Sequence, residues 1–291
     1  MTIQLQAERL SDLPTLPGGW ELAATGVGPD LDILIVASDI PFSARRAGQS
    51  TRYRLYQAAG GSFESLEFVA AGHAAYTFVQ PFGDQNFLLV TTWLYEGVEN
   101  TGDVWSSDGI LVDHLALGQG IEHVQTSAGS EIWVGYNDEG IFSALEPGLA
   151  CFDRTGKRIF SFADSIANDD HKDVPPIHDC YALNVTAEND VWTYYYSAFP
   201  LVRLVDKQLA GMWARAPGLG AHAFAVGERG VLFAGDYAAP SLITRYFPES
   251  GRIELAQAIG DREPLEFTRA IGRADRLYFV ANSAIWLLRS D

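Results

Sequence analysis

Six short apolar runs recur along the chain at intervals of about 40 to 60 residues: DILIVAS (32–38), NFLLVTTW (86–93), EIWVGY (131–136), DVWTYYY (190–196), GVLFAGDY (230–237) and RLYFVAN (276–282). They are rich in β-branched and aromatic residues and bounded by Gly, Asp and Asn, as short strands between turns are. Each run holds the same slot in a four-strand unit. One unit reads IEHVQTS, EIWVGY, LACFD and RIFSF; the next reads HDCYALNV, DVWTYYY, LVRLVD and LAGMWAR; a third reads AHAFAV, GVLFAGD, SLITRYF and RIELAQA. No stretch of a dozen residues carries a helical period, so any helix should be a single turn. A unit of this size cannot bury its apolar surface alone and has to stack on its neighbours.

Four strands per period of this length is the pattern of a β-propeller blade. First strands fall near residues 20, 73, 121, 178, 221 and 265, which gives six. The expectation is an all-β, six-bladed propeller forming one domain over residues 1–291, a length that a single all-β domain accommodates. The last blade supplies only LEFTRAI, RLYFVAN and AIWLLR. The segment TIQLQAER, residues 2–9, is the expected fourth strand, pairing with 284–289 and removing an exposed sheet edge.

Turn chemistry separates the two ends of the strands. First-to-second and third-to-fourth links are tight and polar, as in SAGS, TAEND, GERG, GRAD, RTGK and PESG. The other links include long, irregular loops at 40–50, 94–103, 137–148 and 163–177. Long loops on a rigid scaffold are where function concentrates.

Four of the six histidines, His73, His123, His178 and His222, stand where such a loop runs into a first strand. First strands lie innermost in a propeller, so these imidazoles are expected at the mouth of the central channel. Neutral imidazole ligates Zn, Mn or Fe, and three or four such ligands leave positions open for water or substrate. A divalent ion, Zn, Mn, Fe or Ca, is the candidate cofactor. Asp179 and Glu122, each next to a histidine, are the candidate general bases or orienting carboxylates. Trp93, Tyr95, Asn137, Tyr196 and Asp236, at or just beyond the ends of second strands, are the candidate ligand-binding residues. The distance to the second strand differs among the four histidines. His123 and His222 are each 8 residues from it, His178 is 12 and His73 is 13, so a pair or a trio is as consistent with the spacing as a ring of four.

Other signals point to structure. Tyr194 and Tyr196 share one strand face and read mainly as core. NDEG (137–140) offers oxygens but lacks the spacing of an EF-hand and reads as a solvated turn. SARRAG (43–48), His114 and His171 read as surface. Cys180 follows His178 on the same strand and makes no Cys–His nucleophile motif; it and Cys151 read as buried thiols, which suits a reducing compartment. There is no phosphate-binding glycine loop, nucleophile elbow or CxxC pair.

A net charge of −17 repels phosphate backbones and anionic membranes, which argues against nucleic-acid and membrane partners. The first residues lack the basic and apolar segments of a signal peptide, so a cytoplasmic location is expected.

The third unit, IEHVQTSAGSEIWVGYNDEGIFS with GLACFDRTGKRIFSF, resembles the propeller repeats of bacterial sensor proteins, and the fourth follows it loosely through DVWTYYY. Gly72-His73 resembles the glycine–histidine pair of WD40 blades, where the histidine bonds within its own blade. These resemblances imply the fold and leave the chemistry open. Two readings of function stand. One is a metal-dependent hydrolase or lyase acting on a small molecule. The other is a non-enzymatic binding or scaffold propeller that recognises a protein or small ligand through its long loops.

Overall fold

The computed structural model describes residues 2–44, 49–59, 62–70, 75–93, 100–167, 171–218, 220–235 and 241–291. The fold is a six-bladed β-propeller of six sheets, antiparallel apart from one parallel N-terminal strand. Contacts group the chain into two compact units, one of Pro14–Phe162 and one of Met1–Leu13 with Ala163–Asp291. Two N-terminal strands, β1 (Ile3–Gln6) and β2 (Glu8–Asp12), belong to the latter.

The unit Pro14–Phe162 holds three blades, each made of four consecutive strands. Blade 1 is β3 (Glu21–Val27), β4 (Ile33–Ser38), β5 (Thr51–Ala59) and β6 (Ser62–Ala70). Blade 2 is β7 (Tyr76–Phe82), β8 (Asn86–Thr91), β9 (Gly102–Ser106) and β10 (Leu111–Leu115). Blade 3 is β11 (Ile121–Thr126), β12 (Ile132–Tyr136), β13 (Leu149–Phe152) and β14 (Arg158–Ser161). Second strands are buried on both faces, which is why they read as unbroken apolar runs and not as alternation. In β8, Phe87 and Leu89 enter the core shared with blade 1, whereas Leu88 and Val90 enter the core shared with blade 3. The outer strand β10 is exposed over most of its length. First strands of neighbouring blades lie against each other, β3 on β7 and β7 on β11. Gly26 permits the first of these contacts, because a Cβ there would collide with the Val79 carbonyl.

The other unit holds blades 4 to 6. Blade 4 is β15 (Asp179–Ala187), β16 (Asp190–Tyr196), β17 (Leu201–Val205) and β18 (Gln208–Trp213). Blade 5 is β19 (Ala223–Val226), β20 (Val231–Ala234), β21 (Leu242–Phe247) and β22 (Arg252–Gly260), with the short β23 (Glu263–Pro264) paired to the end of β22. Blade 6 is β24 (Phe267–Arg273), β25 (Arg276–Ala281) and β26 (Ala284–Arg289). Here β15, β19 and β24 meet, and the fully buried Asn184 ties them. Its Nδ2 donates to the carbonyls of Phe224 (2.8 Å) and Ala274 (2.9 Å), and its Oδ1 accepts from the Ala274 N–H (2.8 Å).

An N-terminal strand does complete the last blade, but with other bounds than residues 2–9. Strand β2 pairs antiparallel with β26, from Glu8↔Leu287 to Asp12↔Ala284. The residues before it turn to another sheet: β1 lies parallel to β22 and adds a fifth main strand to blade 5. The two segments meet at Ala7, whose N–H donates to the Ile259 carbonyl. The expectation of single-turn helices also needs correction. Asp138–Ala144 forms a seven-residue helix, α1, in place of the solvated turn read from NDEG. Cys151 and Cys180 are buried and not joined in a disulfide.

Candidate functional site: an aromatic and imidazole edge on blades 4 and 5

In five of the six blades the first strand carries a β-bulge near its start, an extra residue facing one residue of the second strand. The extra residues are Ala23, Thr77, Glu122, Tyr181 and Thr268. Bulges bend the strand and re-aim the side chain they insert. They also give each blade a common ruler. His123 directly follows its bulge, while His178 precedes its own by three residues. The two histidines therefore hold different registers in their blades.

In blade 4, His178 stands just ahead of β15, and its backbone N–H donates to the Tyr196 carbonyl at the end of β16 (2.8 Å). Asp179 opens β15 opposite Tyr196, and both His178 and Asp179 are half-buried. In blade 5, His222 holds the matching place ahead of β19. Its N–H donates to the Ala234 carbonyl at the end of β20 (3.1 Å), and its side chain is exposed.

A run of rings connects the two. The His178 ring centroid lies 6.3 Å from that of Tyr196, Tyr196 lies 5.6 Å from Phe199, Phe199 5.5 Å from Tyr181, and Tyr181 5.6 Å from His222. Tyr194 and Tyr196 do share a face, since both rings meet Phe199. Tyr194 is fully buried, but Tyr196, at the strand end, is 47% exposed. Phe199 takes a left-handed backbone (φ 54°), a conformation that costs a side-chain-bearing residue energy and is held here by the ring contacts and the short link into β17. Between them, Tyr195 points the other way. Its hydroxyl donates to the Pro175 carbonyl (2.9 Å), and burial pushes its phenol pKa well up.

The structure thus joins His178, Tyr196 and His222 in one run of rings, with Asp179 opposite Tyr196. Tyr181 and Phe199 were missed. The bulge at Tyr181 leaves no mark in residue type, and Phe199 sits in a link with no periodicity. Trp93, Glu122, His123 and Asn137 fall in the unit Pro14–Phe162. There the Gly120 and Ile121 N–H groups donate to the Thr92 carbonyl, and the Asn137 N–H donates to that of Gly120. These bonds tie the chain just after β8 of blade 2 to the start of β11 and the end of β12, the stretches that carry Trp93, Glu122 and Asn137. Asn137 has a structural task there: as the N-cap of α1, its Oδ1 accepts the Gly140 N–H at 2.9 Å. His73, Tyr95 and Asp236 lie outside the described residues. Among the described residues no three His, Cys, Asp or Glu side chains gather closely enough to hold a metal ion. Among them, too, no helix is long and apolar enough to cross a membrane.

Residues 149–287, just under half of the chain, match the YxzG family. No curated protein matches the sequence. Among solved structures, a streptogramin B lyase is similar over 97% of both chains at 10% identity, with a TM-score of 0.52. A chain of a nidogen/laminin complex is similar over 89% of this chain and 94% of its own, at 10% identity and a TM-score of 0.52. Hsv2 of Kluyveromyces lactis covers 94% of this chain and 74% of its own, at 8% identity and a TM-score of 0.52. At these identities the likeness shows the propeller fold alone.

Proposed function

We propose that this protein is a binding propeller whose ring-lined edge on blades 4 and 5 receives a positively charged segment of a protein partner. The run from His178 through Tyr196, Phe199 and Tyr181 to His222 carries the reading, because it leaves a tyrosine and an imidazole in water on a chain of net charge −17. Aromatic faces attract ammonium and guanidinium groups, and the overall negative field draws cations toward the surface. The half-buried carboxylate of Asp179, opposite Tyr196, adds to the preference for positive charge. A nidogen/laminin complex shows that this fold serves protein partners elsewhere. The test uses a tetra-arginine peptide, with a tetra-glutamate peptide as control, by calorimetry at low salt. Only the basic peptide should bind, and Tyr196→Ala or His222→Ala should each weaken it about two- to fivefold. Equal affinity of wild type and both variants defeats the proposal.

The second reading is a divalent ion held by imidazoles and serving hydrolysis or elimination on a small molecule. Its support is the matched placing of His178 and His222 ahead of first strands in one unit. The metal content of protein purified without an affinity tag separates the two readings. Stoichiometric metal lost in His178→Ala favours the enzyme.

A further inference from the structure

At the other ends of the same strands, where the links are tight turns, blades 4 and 5 enclose a cleft of about 380 Å³. It is lined by the β15–β16, β19–β20 and β21–β22 turns and by one wall of blade 4. That wall is built around Trp192. Trp213 stacks on it with ring centroids 5.1 Å apart and planes 11° from parallel, and Arg203 lies over its ring at 5.3 Å. Arg203 is held in turn by Asp190, Nε to Oδ1 at 2.9 Å and Nη2 to Oδ2 at 3.0 Å. Trp192 is only 7% exposed, and among the described residues its Nε1–H finds no acceptor. A buried donor left unmet costs stability unless something supplies an acceptor. Across the cleft, Arg229 and Glu249 stand exposed on their turns.

We infer that this cleft binds a neutral saccharide unit. Its volume is at the small end of ligand sites, roughly 300–1,000 Å³. The half-buried Trp213 offers a flat apolar surface, and a pyranose has an axial C–H face that packs on such a ring. The lining also includes the carboxylates of Asp190, Glu228 and Glu249 and the guanidinium groups of Arg203 and Arg229, so the rim both accepts and donates hydrogen bonds. Hydroxyl groups match such a rim because each donates and accepts. The other ligand classes fit less well. An anion meets Asp190 and Glu249, a cation meets Arg203 and Arg229, and a flat aromatic compound leaves most polar groups of the rim unmatched.

The chain has seven tryptophans, so the indole N–H region of an ¹H–¹⁵N spectrum is simple enough to follow site by site. The probes are the neutral methyl glycosides of glucose, galactose, mannose and fucose, with glucuronate and free indole as controls. At least one glycoside should move the Trp192 and Trp213 signals, with a dissociation constant of about 1 mM, the range open to so small a ligand. Trp213→Phe should weaken binding about fivefold and Arg229→Ala about threefold. Arg229 is exposed on a turn, so its variant decides the matter if Trp213→Phe does not fold. The proposal is overturned if no neutral glycoside moves either signal, if only glucuronate or indole does, or if the Arg229→Ala protein binds as wild type.

Discussion

Two histidine-bearing regions of the molecule differ in how they use their polar and aromatic groups. In blade 2, His114 Nδ1 lies 2.6 Å from Asp103 Oδ1, the Tyr76 hydroxyl donates to Asp103 Oδ2 at 2.5 Å, and Trp105 Nε1–H donates to the Tyr76 oxygen at 3.2 Å. Tyr76 is 1% exposed, and its phenol pKa is raised well above the usual value, first by burial and then by the Asp103 charge. The hydrogen bonds of that network stay within one blade, with the exposed His114 ring, 54% in solvent, at its outer end. On blades 4 and 5, His178 and His222 end a run of rings that opens to solvent at Tyr196. An imidazole paired to a carboxylate beside a buried tyrosine secures a strand, whereas imidazoles ending an exposed run of rings have surface left to offer. Residue type does not separate the two cases; the neighbours do.

The contrast can be broken most forcefully at Tyr76. Tyr76→Phe keeps the ring but takes a donor from Asp103 and an acceptor from Trp105, and should cost about 2 kcal/mol in urea unfolding. A loss below about 0.5 kcal/mol would mean the network is not the unit described. The alkaline limb sharpens the point. Tyr76 and Tyr136 both have phenol pKa values raised by burial. A raised folded value means that their contribution is complete below the unfolded value, about 10, and is lost as pH rises above it. Wild-type stability should therefore fall steeply above about pH 10, and less steeply in Tyr76→Phe.

Tyr196→Ala should behave oppositely, shifting stability by no more than about 0.5 kcal/mol while weakening the basic peptide. Loss of several kcal/mol there would make the ring edge a packing feature. The smallest effect is expected at Glu146. It accepts the Gln119 N–H at 3.3 Å, and partial burial raises its pKa. The folded protein thus favours the protonated acid, so the stability contributed is present below about pH 4.3 and lost as pH rises through the folded value. Solvent screens this half-buried group, so Glu146→Gln should gain only about 0.5 kcal/mol at pH 7 and lose that gain in acid.

Much of the fold was legible in the sequence because second strands are buried on both faces. β4, β12 and β25 announce themselves as apolar runs, and glycine and aspartate turns space them. Starts read near residues 121, 178 and 221 fall within two residues of β11, β15 and β19. Pairing across long sequence separations was less legible. That Glu8–Asp12 closes blade 6 while Ile3–Gln6 turns to β22 depends on which open edges the chain can reach, and exposed edge residues carry little pattern. At the candidate site, residue types pointed to His178, Tyr196 and His222. Tyr181 enters only through a backbone bulge and Phe199 only through tertiary contact. Asn137 illustrates the opposite ambiguity, since the same side-chain oxygen suits a ligand and a helix cap.

The N-terminal pair β1 and β2 sets a timetable for the chain as it leaves the ribosome. Blades 1 to 3 consist of consecutive strands and can pair as each is made. Residues 3–12, made before all of them, find their strand partners in 252–289; the Gln6 side chain reaches the Ile259 carbonyl across 253 residues of sequence. The entropy of closing so long a loop grows only slowly with length, so the finished pairing is affordable, but its formation is late. Until that pairing forms, β1 and β2 lack the strands they pair with in the finished fold, and β22 and β26 present open edges of the kind that invite wrong pairing.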